Sequence, residues 1–393
     1  MTLSNRYLTT LTPLRGIAAL LVVIFHSNLM VMPFMPPGYT SFVSGGWLWV
    51  DFFFVLSGFI IFYVYGKNFE ASVPRNAYWK YIGARFARVY PLHFFTLIWC
   101  TVCTIIINSL ANGMDPFFAS IFDLNAVPAS LLMLQSVHLF DMTPLNTPSW
   151  SLSTEWWVYM LFPFLVPLFV RSSSSVKVIA FILTAGVYVF VRFVINPMGF
   201  TGEGTGPTIN VTFDFGLLRC LAGFLLGMLI YVLYKSRFGY NVLKRDLTFL
   251  IVSIFIIGGL HFGFDEFLIL SLFPVLILCA SYNDTGVKSF FDLRPLQRLG
   301  DWSFSIYMVH VPLIFLLWIY QLKKNPAQFA DFIKLAQSPP DYSTGVVVCI
   351  GLVVLTLSIA ALTYRYVEVP ARNYLNLRFS KPKDKTPAVL EVP

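Results

Sequence analysis

Charge is what this sequence has least of. Only 12% of its 393 residues are Asp, Glu, Lys or Arg, where soluble domains carry about a quarter. Hydrophobic residues make up 57%, and the mean hydropathy is +0.72. A water-soluble globule has no interior able to hide that much apolar surface, which excludes a soluble enzyme. Cysteine is scarce as well: Cys100, Cys103, Cys220, Cys279 and Cys349 all fall inside apolar blocks, so a disulfide-stapled secreted scaffold is excluded too. Cys100 and Cys103 have redox or metal spacing but no second pair to complete it. No two histidines stand at metal-ligand spacing, and no metal is expected. A glycine-rich phosphate loop is missing, and Leu56-Ser57-Gly58 lacks the pattern of a nucleophile elbow. No internal repeat marks the paired halves of a secondary transporter. The first apolar block runs from Leu14 to Met32 without a small-residue cleavage pattern, so it is expected to stay as a span rather than leave as a signal peptide.

What the sequence does have is apolar blocks of about 17 to 22 residues, each long enough to cross roughly 30 Å of hydrocarbon. They centre on residues 12–32, 47–66, 90–110, 154–170, 178–196, 214–234, 247–263, 266–282, 302–320 and 344–366. The predicted fold class is therefore all-α: a polytopic integral membrane helical bundle of about ten transmembrane helices. Of the 27 lysines and arginines, only Arg192, Lys323, Lys324 and Lys334 fall in outer segments when both termini are placed in the cytoplasm, with Arg219 inside a span. The positive-inside rule selects that orientation. The net charge of +8 is then a matter of topology, and no nucleic acid is expected as a partner.

The longest outer segment, 111–153, holds a short apolar stretch from Val127 to Leu134 that reads as re-entrant or interfacial. Asn196 to Pro207 and Gln321 to Tyr342, the latter with an amphipathic stretch around Phe329 to Leu335, are expected to rim an outer opening. Residues 1–380 are predicted to form one transmembrane domain and 381–393 a disordered cytoplasmic tail.

An ionisable side chain in a span costs several kcal/mol unless paired or wetted, so such positions are candidates for function. Arg15 and His26 are eleven residues apart, about three helical turns and ~16 Å of rise, and so share a face of the first span near its inner and outer ends. Asp51 and Glu155 are expected at a depth like that of His26. A neutral imidazole held by a carboxylate can act as general base toward a hydroxyl. Arg85 and Arg88, three residues apart on the cytoplasmic side, share a helix face suited to clamping phosphate oxygens. His310 falls near the middle of the ninth span. Arg219 needs a carboxylate or an anionic ligand, and Asp214 is a candidate partner by proximity. Ser57, Trp150, Ser153 and Tyr307 are further candidates, as donors toward a developing oxyanion.

These residues come in an order that resembles the bacterial membrane acyltransferase family 3 over nearly the whole chain. The motifs are Leu14-Arg15-Gly16-Ile17-Ala18-Ala19 continuing to His26, Asp51-Phe52-Phe53-Phe54-Val55-Leu56-Ser57-Gly58, and Arg85 through Arg88. They continue with Trp150-Ser151-Leu152-Ser153-Thr154-Glu155, Ser303 through His310, and Tyr366-Val367-Glu368-Val369-Pro370-Ala371-Arg372. The resemblance implies a bacterial cytoplasmic-membrane enzyme that moves an acyl group, usually acetyl from acetyl-CoA, to a hydroxyl of an extracytoplasmic glycan or lipid-linked saccharide. It further implies acyl-CoA as donor substrate, with His26, Glu155 and Asp51 as catalytic candidates and Arg15, Arg85 and Arg88 toward the donor. Some relatives carry a fused SGNH-type domain after the spans; with about 27 residues after its last predicted span, this chain is expected to be of the stand-alone type. A transporter or flippase of a glycan intermediate is the competing expectation, because it would use the same intramembrane charges.

Overall fold

The computed structural model describes residues 8–111, 116–196, 207–324 and 341–380. The stretch Phe329 to Leu335, most of the outer segment at 197–206 and the tail 381–393 lie outside the described residues. No strand occurs among those described. The principal helices are α1 (Leu11–Met30), α2 (Trp49–Tyr65), α3 (Arg75–Leu110), α4 (Ser149–Arg171), α5 (Ser174–Phe190) and α6 (Gly216–Lys235). After them come α7 (Asp246–Phe262), α8 (Glu266–Tyr282), the short α9 (Arg294–Asp301), α10 (Ser303–Lys324), α11 (Tyr342–Thr363) and α12 (Val369–Ser380). Among the described residues eight helical segments are long and apolar enough to cross a membrane, and α7 and α8 are apolar helices of 17 residues each. The protein is thus an all-α polytopic membrane protein.

Large apolar side chains face outward in helical steps, as at Ile179, Ile182 and Leu183 on α5 or Val347, Ile350 and Val354 on α11. This is the surface a bilayer would cover, because lipid is as apolar a neighbour as a protein core. Inside, the drive to associate has to come from close packing. Gly223 and Gly227 form a small-xxx-small pair on α6 that meets Gly58 of α2. A Cβ added at Gly58 would lie 2.0 Å from the Phe224 carbonyl oxygen, and one at Gly227 2.0 Å from that of Val55. Only glycine lets these two backbones touch, and the contact sets where α2 stands relative to α6.

Three helices differ from their predicted extents in ways that matter for the site. α3 has 36 residues, about 54 Å of rise, because it continues through Pro91 where the sequence suggests a span beginning. Its first half therefore carries Arg85 and Arg88 as part of the same rod. α4 begins at Ser149 just after Pro148, so Glu155 lies well inside the helix rather than at its mouth. Between α11 and α12 the helix widens into a π turn over Tyr364–Glu368. That turn stands just before Pro370, whose missing N–H removes an α-helical bond. It leaves Glu368 facing inward and 1% exposed.

The segment between α3 and α4 folds back onto the bundle instead of spanning it. A five-residue helix, Val127–Leu131, sits against α3, where His93 contacts the Ser130 carbonyl at 2.8 Å and the Tyr90 hydroxyl donates to that of Leu131. The Met133 carbonyl accepts from both Ser153 Oγ (2.6 Å) and Trp157 Nε1 (2.9 Å) of α4. Asn146 donates to the Met308 carbonyl on α10. These bonds satisfy backbone that would otherwise be stranded at membrane depth.

Candidate active site

One cavity of about 170 Å³ opens among α1, α2, α3, α4 and α10. Arg15 (α1), Arg85 and Arg88 (α3), Glu155 and Tyr159 (α4), Ser57 (α2) and Tyr307 (α10) all contribute to its wall. On α2 the lining runs from Val50 to Ile61, eleven residues or ~16 Å of rise, so the cavity follows most of that helix. The rest of its wall is apolar, with Phe53, Phe54, Leu152 and Phe304 among the contributors.

The three arginines are held differently. Arg15 donates to Ser303 Oγ at 3.1 Å. Arg85 donates to the Tyr65 hydroxyl at 2.9 Å, and its Nε is buried without a partner among the described residues. A guanidinium N–H left unpaired in a dry place is costly, and an anionic group entering the cavity would relieve that cost. Arg88 is paired with Glu368, whose other oxygen accepts from Ser305 Oγ at 2.8 Å while Arg372 stands 3.7 Å away. Glu368 was not among the residues singled out from the sequence. Its signal there is its place in the Tyr366-to-Arg372 motif, a carboxylate flanked by valines, and its inward turn depends on the π segment. Tyr159 was missed as well; it shares a hydrogen bond of 2.9 Å with Ser57, and both hydroxyls stand beside the Glu155 carboxylate, which is within electrostatic reach of Arg15 and Arg85.

The partners expected from sequence are corrected in two places. Arg219 does not pair with Asp214, which instead accepts from the Phe215 amide at 2.7 Å. Its fork takes both oxygens of Asp51, Nε to Oδ1 at 3.0 Å and Nη2 to Oδ2 at 2.6 Å, and Nη1 donates to Asn210 Oδ1 and the Val211 carbonyl. The rings of Trp47 and Trp150 lie 4.9 and 5.4 Å from this guanidinium. Both members of the pair are fully buried. Sequence distance misled here because α2 and α6 meet at their glycines, bringing residues 51 and 219 to the same level. Asp51 is consequently committed to Arg219, and no hydrogen bond joins it or Glu155 to His26.

His26 has a different neighbour. Its Nδ1 lies 3.0 Å from the Val22 carbonyl and 3.2 Å from Nε2 of His310 on α10. The cavity's lining includes neither histidine, and the His310 ring stands 6.0 Å from that of Tyr307 on its wall. Ser153 points away from the cavity, donating to Met133 and accepting from Ser136 at 2.8 Å. Trp150 packs against Arg219 and Phe54. Tyr307 exchanges a 2.7 Å hydrogen bond with Ser151 at the cavity wall. Among the described residues no group of three or more His, Cys, Asp or Glu side chains gathers in a form that could hold a metal ion.

Apolar helices thus enclose a chamber whose wall carries three arginines. The profile of acyltransferase family 3, described as an acyltransferase domain, matches residues 11–365, and the chain belongs to that family. It is 24% identical to the O-acetyltransferase OatA of Staphylococcus aureus and to the peptidoglycan O-acetyltransferase OatA of Listeria monocytogenes. Each alignment covers 94% of this chain and respectively 58% and 56% of the relative. The chain thus spans little more than half the length of those curated relatives. It is 28% identical to the acyltransferase MdmB of Streptomyces mycarofaciens over 98% of this chain and 97% of that protein. No solved structure matches.

Proposed function

We propose that the protein transfers an acyl group, most simply acetyl, from cytoplasmic acyl-CoA to a hydroxyl of an extracytoplasmic glycan or lipid-linked saccharide. The observation that carries this reading is the cavity itself, whose wall holds Arg15, Arg85 and Arg88 while α1 continues about three turns beyond Arg15 to His26. With both termini in the cytoplasm, as the basic residues favour, the arginines lie toward the cytoplasm and His26 toward the outside. Residues 1–380 then act as one catalytic domain of the bacterial cytoplasmic membrane.

In this mechanism the arginines receive the phosphates of coenzyme A, since guanidinium offers donors in a fixed fork and stays charged. The unpaired Nε of Arg85 is the group best placed to gain from such a ligand. The thioester arm extends along the apolar wall toward the histidines. His26 takes the proton of the acceptor hydroxyl as its oxygen bonds to the thioester carbonyl carbon. When the C–S bond breaks, the thiolate leaves with that proton, returning His26 to its starting state. An acetylated glycan as product agrees with the name of the Listeria relative.

The test is to reconstitute purified protein in vesicles with radiolabelled acetyl-CoA outside and an acceptor oligosaccharide inside. Acyl transfer that disappears in His26→Ala, with the variant still folded, is the expected result. Transfer undiminished in His26→Ala would remove that residue from the mechanism, and movement of the saccharide without acylation would favour a transporter.

A further inference from the structure

The hydrogen positions on the two histidines follow from what surrounds them. His26 and His310 have ring centroids 4.9 Å apart, inclined by 39°. His26 Nδ1 stands 3.0 Å from the carbonyl oxygen of Val22 and 3.2 Å from His310 Nε2. His310 Nδ1 stands 3.3 Å from the carbonyl oxygen of Ile306. A carbonyl oxygen only accepts. A bare Nδ1 at either position would set two lone pairs against each other.

Three assignments can be compared. If His310 Nε2 carried the hydrogen of a neutral ring, it would donate to a bare His26 Nδ1, and both rings would then face a carbonyl with a lone pair. If His310 were a cation, its own clash would vanish while the one between His26 and Val22 remained, and an unpaired charge would be buried in a fully enclosed ring, at high cost. If each Nδ1 carries the hydrogen, every contact is satisfied. His310 donates to Ile306 and accepts at Nε2, and the N–H of His26 is shared between Val22 and His310. No hydrogen bond reaches His26 Nε2 among the described residues, so the lone pair there is left for the reaction.

We infer that His310 is the positioning residue for His26: its Nε2 accepts the Nδ1–H of His26, fixes that tautomer and ring angle, and leaves His26 Nε2 as the atom that takes the acceptor's proton. The Val22 carbonyl alone is an anchor on the same helix one turn back, and it would let the ring swing about its side-chain bonds. A second anchor on α10 stops that motion. The role usually falls to a carboxylate. Here the carboxylates are engaged elsewhere, Asp51 by Arg219 and Glu368 by Arg88, and a neutral acceptor costs less to keep at membrane depth than a second charge. This inference rests on the proposed role of His26.

The test compares His310→Leu, which has no acceptor, with His310→Gln, whose amide oxygen restores one near the position of Nε2. Turnover of radiolabelled acetyl-CoA by the full chain in lipid nanodiscs should show kcat about 10²-fold lower in His310→Leu with the donor KM changed little, the size expected when a general base loses its orientation. His310→Gln should recover most of the loss. Separately, ¹⁵N spectra of histidine-labelled wild-type protein, with His26 assigned by substitution, should report a protonated Nδ1 and a bare Nε2. Wild-type kcat in His310→Leu, or a folded His310→Gln no better than His310→Leu, would overturn the inference, as would a hydrogen on His26 Nε2. If His310→Leu does not fold, the wild-type spectrum and His310→Gln still decide. Full turnover in His26→Ala would sink the underlying mechanism instead, a result the spectrum cannot mimic.

Discussion

Removing Asp51 should cost several kcal/mol of stability, about what breaking one side of a buried ion pair costs. Its carboxylate accepts two hydrogen bonds from Arg219, and both side chains are fully enclosed. In Asp51→Ala the guanidinium keeps Asn210, the Val211 carbonyl and the two tryptophan faces but loses its counter-charge. Breaking one side of a buried ion pair costs about 3–5 kcal/mol, because the remaining charge is stranded. Replacing both partners with apolar side chains leaves no stranded charge, so Asp51→Leu with Arg219→Met should lie well above either single variant. A double-mutant cycle isolates the coupling, and its value should be about 3 kcal/mol. Equilibrium unfolding of wild type, Asp51→Leu, Arg219→Met and the double variant, with Asp51→Ala beside them, in mixed non-ionic and anionic detergent micelles provides the free energies. A loss below about 1 kcal/mol in Asp51→Ala, the range of an exposed pair, would refute the reasoning, and so would simple additivity in the double variant.

Three other outcomes follow from equally local geometry. Gly227→Ala pushes a methyl group to 2.0 Å from the Val55 carbonyl oxygen, whereas a Cβ at Gly258 meets nothing within 4 Å; the first should cost about 1–3 kcal/mol and the second almost nothing, and equal thermal inactivation rates for the two would contradict the α2–α6 contact. Arg85→Ala should weaken acyl-CoA binding by about tenfold or more, the worth of one charge-assisted hydrogen bond, as read by calorimetry; an unchanged affinity would count against the clamp. The Ser343 and Thr344 hydroxyls and the Ser343 amide hold the Asp341 carboxyl down at about 2, where an unperturbed aspartate titrates at about 3.9. Its contribution to capping α11 is therefore complete above about pH 4 and lost as the pH falls through about 2. Hydrogen exchange at the Ser343 amide should stay protected at pH 5 and lose that protection near pH 2, and uniform protection across the range would contradict the cap.

The sequence by itself determined what kind of solvent this protein lives in. Where the apolar blocks lie, and so where nearly every long helix runs, follows from the length needed to cross hydrocarbon, a one-dimensional property that needs no knowledge of neighbours. The family was legible for the same reason, since its motifs keep their order along the chain. Arg15 and Glu155 were also legible as candidates, because a charge in a span is rare whatever it touches, and Arg85 and Arg88 because a three-residue spacing puts them on one helix face. Which groups pair with which was decided only by tertiary structure. Asp51 meets Arg219 because three glycines bring α2 and α6 into backbone contact. Glu368 turns inward because a π segment precedes Pro370. Proximity in sequence pointed from Arg219 to Asp214, and matching depth from His26 to a carboxylate; the fold placed Asp51 at the first and an imidazole at the second. Helix crossing angles and rotations set these encounters, and they depend on how side chains fill the space between helices rather than on any periodicity within one of them.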